Sequence, residues 1–340
     1  MSCDIIIPIW NQLNYTRACI ESVFRFTRFF FQLILIDNAS QQPAAKYLER
    51  IKQKHPDCVS LIRNSENLGF VKAANQGLKA SGADYACLLN NDTEVTAGWL
   101  QEMVKVAEAE QDIGIVNPNS NTFGLKVKRG QPLALLSEQL KSLSGQYSEL
   151  AWASGFCMLI KRKVIGEIGL FDEIYGRGNF EDADFSKRAQ TSGYASVCAK
   201  AAYVFHHERR SFIKFKQFDS DFNRNREIFH AKWGRQRRLL YILTRDNSPD
   251  KQKTENDILR SARKGDIVWV FLKNKRRRTV NPGMNTAIFY LSPRFFDLVS
   301  FWRVIKRKKK FDLIYVDNQR YADRLAKFKL FHRAEVVTKL

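Results

Sequence analysis

Four short clusters of polar residues in this 340-residue chain have types and spacings that could do chemistry. Asp37, in Asp37-Asn38-Ala39-Ser40, offers a carboxylate to the N–H donors of a pyrimidine base or to ribose hydroxyls. The same four residues are also good turn chemistry. Asn90 and Asp92 stand two apart on an extended segment, so an amide oxygen and a carboxylate can point to one side. Hard divalent cations take such oxygens, and a site with a single carboxylate depends on the phosphates of its substrate. An Asx turn closing a strand would use the same residues. Glu181 and Asp182 are adjacent carboxylates at a predicted helix start, where the helix dipole favours them. If both face one cleft, repulsion raises one pKa toward the range of a general base. His206 follows a predicted strand, and its neutral imidazole together with Asp92 would complete the protein's share of a metal site. His207 would then stand behind the metal or face a second substrate.

These residues need elements to position them. Up to Asn117, short apolar runs alternate with helical patterns: strands are predicted at 5–7, 32–36, 59–62, 85–89 and 113–116, and helices around 15–26, 44–54, 71–80 and 99–109. That alternation predicts a mostly parallel sheet with helices on both faces, whose ligands bind beyond the carboxyl ends of the strands. The text there is polar and turn-rich: Pro8-Ile9-Trp10-Asn11 after the first strand, Asp37 to Ser40 after the second, Asn64, Asn67, Gly69 and Phe70 after the third, and Asn90 to Thr93 after the fourth. Residues 119–149 read as a loop that could cover the site, with Gly124, Gly130, Pro132 and Gly145. Order resumes at Trp152-Ala153-Ser154-Gly155-Phe156, in a strand to Ile160, in the helix start at 180 and in a strand at 201–205. Further strands at 239–243, 267–272, 287–291 and 313–316 form a tail that reads as too short for a full doubly wound domain. The expected division is 1–235, with a donor half at about 1–118 and an acceptor half at about 150–215, and a basic α/β region over 236–340.

The order of these motifs resembles glycosyltransferase family 2, the inverting enzymes of GT-A fold, and within it the rhamnosyltransferase-like branch. The matching text includes Ile7-Pro8 with Trp10-Asn11, Asp37-Asn38-Ala39-Ser40, Glu66-Asn67-Leu68-Gly69-Phe70, Ala73-Ala74-Asn75 with Gly77, and Leu88 to Thr93. It continues through Ala153 to Phe156, Ile168 to Glu173, Glu181-Asp182 with Asp184-Phe185, Arg188, Gly193-Tyr194 and His206-His207. The resemblance implies a nucleotide-sugar pocket lined by Pro8, Asp37, Asn67, and Lys72 or Asn75, with Trp10, Asn11, Gly69 and Asn91 in the same loops. It implies Mg²⁺ or Mn²⁺ held by Asn90, Asp92 and His206, Asp182 as catalytic base beside Glu181, and Trp152, Ser154, Gly155 and His207 near an acceptor. Many members of the family carry Asp where Asn90 stands.

The formal charge of +21 implies anionic partners. A UDP- or dTDP-sugar donor and a glycan or polyprenyl-linked acceptor in surface polysaccharide synthesis fit that balance. Lys273 with Lys275 to Arg278, and Arg303 with Lys306 to Lys310, form two basic runs; the second overlaps an apolar helical stripe of Phe295, Leu298, Val299, Trp302 and Ile305. That pairing suits an anionic membrane surface as well as a core helix with a solvated basic end. No nucleic-acid-binding signature is present, so no nucleic-acid partner is expected. The six scattered cysteines read as small hydrophobes, and no signal peptide or spanning segment is predicted, so the expectation is a cytoplasmic protein, peripheral at most on the inner face of the plasma membrane. The competing readings are a sugar-phosphate nucleotidyltransferase, against which Pro8-Ile9-Trp10-Asn11 replaces a Gly-rich basic loop, and an inactive transferase-like scaffold.

Overall fold

Strand β1 (Cys3–Ile9) is buried along its whole length and apolar but for Asp4, whose carboxylate accepts from Ser81, Gly82 and Ala83, so it can only lie inside a sheet covered on both faces. The computed structural model describes residues 1–122, 132–207, 218–245, 251–273 and 285–338. The chain divides into two units, one of Met1–Ser148 and Trp152–Trp233, the other of Glu149–Ala151 and Gly234–Leu340.

In the first unit β1 is followed by α1 (Leu13–Phe26), β2 (Phe31–Asp37), α2 (Gln42–Lys54), β3 (Val59–Arg63), α3 (Phe70–Ala80) and β4 (Tyr85–Leu89). These strands run parallel in the order β3-β2-β1-β4. Helix α3 packs so closely on β1 that a Cβ on Gly77 would lie 2.2 Å from Ile6. The unit continues through β5 (Thr93–Val95), α4 (Trp99–Ala107), β6 (Ile113–Asn119), α5 (Leu133–Leu140) and the first half of β7 (Tyr147–Leu150). It ends with β8 (Cys157–Lys161), α6 (Arg162–Ile168), α7 (Glu181–Thr191), β9 (Ala195–His206) and α8 (Phe218–Trp233). Beyond β4 the sheet turns mixed: β8 runs antiparallel between β4 and β6, β9 lies parallel to β6, and β5 pairs antiparallel with the end of β9. Apolar side chains on the two faces of the sheet form two separate clusters, each sealed by helices.

The second unit holds β10 (Arg238–Leu243), α9 (Lys251–Arg263), β11 (Ile267–Leu272), β12 (Thr286–Tyr290) and α10 (Phe296–Lys306). Then come β13 (Leu313–Val316), α11 (Gln319–Ala326), α12 (Lys329–His332) and β14 (Glu335–Thr338). All five strands are parallel, in the order β12-β11-β10-β13-β14. Ile258 of α9 joins Leu239, Tyr241 and Leu243 on one face, while Phe296 and Val304 of α10 join Leu240 and Ile242 on the other.

The α/β architecture and its early strands and helices follow the sequence pattern, with three corrections. The tail is long enough for a doubly wound sheet, because its strands are only four to six residues each and Glu335 to Thr338 adds a fifth. The segment 119–149 is not one loop: α5, whose Leu136 and Leu140 pack on Tyr203, and β7 lie within it. Gly124 and Gly130 fall outside the described residues, as do Lys275 to Arg278. Finally, the strand expected at 201–205 is a twelve-residue strand that begins at Ala195 and carries the chain from α7 to His206. All six cysteines are free thiols, five of them buried. No described helix is long and apolar enough to cross a membrane.

Candidate active site

The carboxyl edge of β1 and β2 is knit by asparagines. Pro8, which cannot donate to a ladder, is tolerated inside the sheet because β4 pairs only with Cys3 to Ile6 of β1. Past it, Asn11 adopts a left-handed φ of 59°; Ser40 Oγ accepts its N–H, and its own Oδ1 accepts the N–H of Gln41. Trp10 beside it is half-buried. Asn38 donates to Asn67 Oδ1 and to the Gly69 carbonyl, and its Oδ1 accepts from Asn64 and the Leu68 N–H. Asp37 is wholly buried beneath this lattice. Its Oδ1 accepts the N–H of Ser40, while Oδ2 lies 3.5 Å from Arg63 Nε and makes no hydrogen bond among the described residues. Gly69, at φ 82°, opens α3 where a Cβ would meet Arg177 Cα at 3.1 Å. Lys72 is exposed on α3.

The second group is built at the end of β4. The β5–β9 ladder registers Thr93 with His206, and the His207 N–H donates to the Asp92 carbonyl. This brings Asp92 Oδ1 within 3.3 Å of His206 Nε2. That separation is close to the edge of an octahedron with bonds of about 2.1 Å, so both atoms can serve one cation. Asn90 precedes them, half-buried; its N–H donates to the Phe156 carbonyl. Among the described residues no group of three His, Cys, Asp or Glu side chains gathers as a metal site, so any cation here would need oxygens from Asn90 and from a ligand. The mixed oxygen and imidazole donors suit Mn²⁺ at least as well as Mg²⁺.

The third group sits at the start of α7. Asn179 and Phe180 both take positive φ, at 75° and 72°, an uncommon pair for non-glycine residues. Helix α8 holds this turn: the Asn225 amide donates to the carbonyls of Tyr175 and Gly178, and Phe180 packs on Phe222 and Phe229. The turn delivers Glu181 and Asp182 side by side. Asp182 Oδ2 accepts the Gly155 N–H at 2.9 Å, and a Cβ on Gly155 would lie 3.6 Å from Asp182 and 3.7 Å from Glu181. Burial, then the Asp182 charge, pushes Glu181 up to about 8, and its Oε2 has no hydrogen-bond partner among the described residues. Burial raises Asp182 too, against the N–H groups of Gly155 and Ala183 that favour its ionised form. A carboxylate so placed is a stronger base than one in water. Two residues on, burial also drives Asp184 upward, but hydrogen bonds from Lys232, Trp233 and Arg188 outweigh it and hold that carboxyl below its ordinary value.

Residues 154–156 join the second and third groups. Gly155 binds Asp182, Phe156 binds Asn90, and the Phe156 ring stacks on His206 at 5.2 Å. Asn117 fixes this segment by donating to the Ser154 carbonyl and accepting the Ser154 N–H.

Not every expected side chain faces ligand. The Asn75 amide is consumed by Phe171 and Glu173, and Asn91 is buried with its amide on Thr16; both brace the loops instead. His207 bonds Glu94 at 2.7 Å, a bond that lowers the Glu94 pKa, and packs on Tyr15 and Phe205. Trp152 packs edge-on against Phe229. Sequence reasoning passed over Asn38 as a bonding hub, Asn117 and Asn225, which bond to backbone groups and neighbouring amides and leave no spacing signal.

Residues 4–169 match the family model described as "Glycosyl transferase family 2". The chain is 29% identical over 230 residues to the uncharacterised protein y4gI of Sinorhizobium fredii, covering 61% of this chain and only 24% of that one. It is 23% identical over 211 residues to the N-acetylglucosaminyl-diphospho-decaprenol L-rhamnosyltransferase of Mycobacterium tuberculosis, covering 53% of this chain and 67% of the relative. Its fold is similar to GalNAc-T7, solved with UDP, GalNAc and Mn²⁺, at a TM-score of 0.53 and 16% identity over 69% of this chain and 49% of that one. Over residues 4–169, on a GT-A-like α/β fold, the chain is thus similar to glycosyltransferase family 2.

Proposed function

We propose that the protein transfers a sugar, with inversion, from a UDP- or dTDP-sugar to a hydroxyl of a glycan or polyprenyl-linked acceptor, as in the rhamnosyltransferase-like branch. The observation that carries this reading is the Gly155-Phe156 segment: the Gly155 N–H binds Asp182 on one side, and Phe156 meets Asn90 and His206 on the other. A base and a diphosphate site must sit within one substrate length for an in-line displacement.

In this reading Asp182 takes the proton of the acceptor hydroxyl as its oxygen attacks the anomeric carbon opposite the leaving group. The attacking C–O bond forms as the C–O bond to the diphosphate breaks, so configuration inverts without a covalent intermediate. Glu181, protonated near neutral pH, leaves the pair with one negative charge and keeps Asp182 available as the base. Asn90, Asp92 and His206 would hold Mn²⁺ or Mg²⁺, which when bound supplies charge stabilisation to the departing diphosphate. Asp37 Oδ2, buried with no hydrogen bond among the described residues, and the Asn67 and Gly69 loop would receive the base and ribose of the nucleotide. Trp10, Asn11 and Lys72 would border that pocket, and Ser154 the acceptor.

The Mn²⁺ and UDP bound to a protein of similar fold, and the rhamnosyl transfer named for a relative, support this reading. The test is binding and slow hydrolysis of UDP-, dTDP- and GDP-sugars with and without Mn²⁺, in wild type and Asp182→Asn. Metal-dependent binding of one donor, with hydrolysis lost in the variant, is expected. No binding of any donor would return the chain to the inactive-scaffold reading.

A further inference from the structure

The second unit carries a surface that the transfer chemistry does not use. Helix α10 is apolar on two sides. Phe296, Ser300 and Val304 are buried on one. Leu298 and Trp302, with Phe295 just before the helix, are spaced three and four apart, lie on the other and are 57%, 49% and 52% exposed. This exposed stripe does not end with the helix. Phe301 meets Phe328 edge-on at 5.0 Å, Phe328 lies 6.2 Å from Phe331, and beside them Leu330 is 90% exposed. Scattered exposed leucines need no explanation, but a continuous run of large apolar side chains marks an interaction site.

We infer that this face of α10 and α12 docks on the surface of an anionic lipid bilayer. The argument for lipid is charge complementarity. Residues 294–333 contain twelve Lys and Arg against four Asp and Glu. Several of the cations ride on the apolar stripe itself: Lys306 Nζ is 4.9 Å from the Trp302 ring centre, and the Arg294 guanidinium is 5.6 Å from that of Phe295. Lys327 and Lys329 flank Phe328, and Lys308 and Lys309 are exposed just past the helix. Aromatic rings with lysines at their rim match the boundary between acyl chains and anionic headgroups. A second copy of the same surface would bring like charge against like charge, which disfavours self-association. Helix α10 has 11 residues, far short of the roughly 20 a spanning helix needs, so it would lie along the surface. Part of the basic run serves the fold instead. Arg307 stacks between Trp269 and Phe311, and Lys310 donates to the Ile305 carbonyl. Those two cations pin α10 to its unit, which leaves Lys306, Lys308 and Lys309 to meet headgroups.

The inference is independent of the donor and base assigned above. The experiment is flotation of the full chain with vesicles of phosphatidylcholine alone or mixed with phosphatidylglycerol, at low and high salt. Binding to the mixed vesicles only, weakened by salt, is expected. The pair Trp302→Ser and Leu330→Ser should lower that binding about tenfold or more. Each of Lys306→Ala, Lys308→Ala and Lys309→Ala should lower it about fivefold. Because all five side chains are exposed, melting temperature and nucleotide binding should not move, which separates lost docking from lost folding. Equal binding to both vesicles, no binding to either, or binding untouched by the double substitution would overturn the proposal. So would a concentration-dependent dimer that the double substitution abolishes, which would assign the face to a second copy.

Discussion

Both units open with the same arrangement, three parallel strands in the order 3-2-1 followed by a fourth beside the first. Each has an aspartate just past that fourth strand: Asp92 after β4 and Asp317 after β13. Their fates differ. Asp317 is buried, and its two oxygens accept the N–H groups of Thr244 and Arg245 and the Thr244 hydroxyl. It closes its own sheet edge. Asp92 instead faces His206, because β8 enters antiparallel beside β4 and β5 zips to the end of β9. A shared topology therefore supplies only an edge; what makes the first edge chemical is distant chain folded back onto it.

That contrast can be broken by substitution. The largest effect is expected for Asp182→Asn, which should lower transfer about a thousandfold, with little change in donor KM, in a coupled assay of nucleoside diphosphate release. Asp184→Ala should destabilise the first unit by about 3–5 kcal/mol in urea unfolding, since it strands Arg188 and Lys232 around a buried site. His206→Ala should lower turnover about a hundredfold at limiting Mn²⁺ and weaken Mn²⁺-dependent UDP binding in calorimetry. Asp317→Ala should cost about 1–3 kcal/mol in the second unit and leave transfer unchanged. If it abolished transfer, the two edges would not be as different as their bonding indicates.

The smallest effect concerns pH. Glu181 is raised to about 8 in the folded protein from an ordinary 4.5, so between those values the native state holds a proton that the unfolded chain has released. Stability from this group is full below the lower value and is lost as pH rises through the upper one. Glu181→Gln should therefore flatten the fall in melting temperature from about pH 5 to pH 8, read by scanning calorimetry.

Much of the first sheet was legible because buried parallel strands are continuous apolar runs: Ile5-Ile6-Ile7 and Tyr85 to Leu89 could scarcely be anything else. The polar residues after them announced an edge. Two short strands and the role of one helix were not legible. Strand β5 is three residues long, and its partner lies about 110 positions away, so local pattern carries no trace of it. Helix α8 reads as a polar, basic helical stretch, but nothing in it announces that Asn225 and Trp233 support the turn and helix that carry Glu181 and Asp182. The fifth strand of the tail, Glu335 to Thr338, is half exposed and lacks a buried-strand signature.

Residue types and periodicity by themselves determined the α/β class, the order of the early elements, and the candidate set Asp37, Asn90, Asp92, Glu181, Asp182 and His206, because burial and chemistry act on each residue where it stands. Tertiary structure alone decided that Asn75, Asn91 and His207 spend their polar groups inside the protein, and that Gly155 and Phe156 join the carboxylate pair to the Asp92–His206 pair. Hydrogen bonds between residues tens of positions apart form only once the sheet has brought its edges together, and no spacing along the chain encodes that meeting.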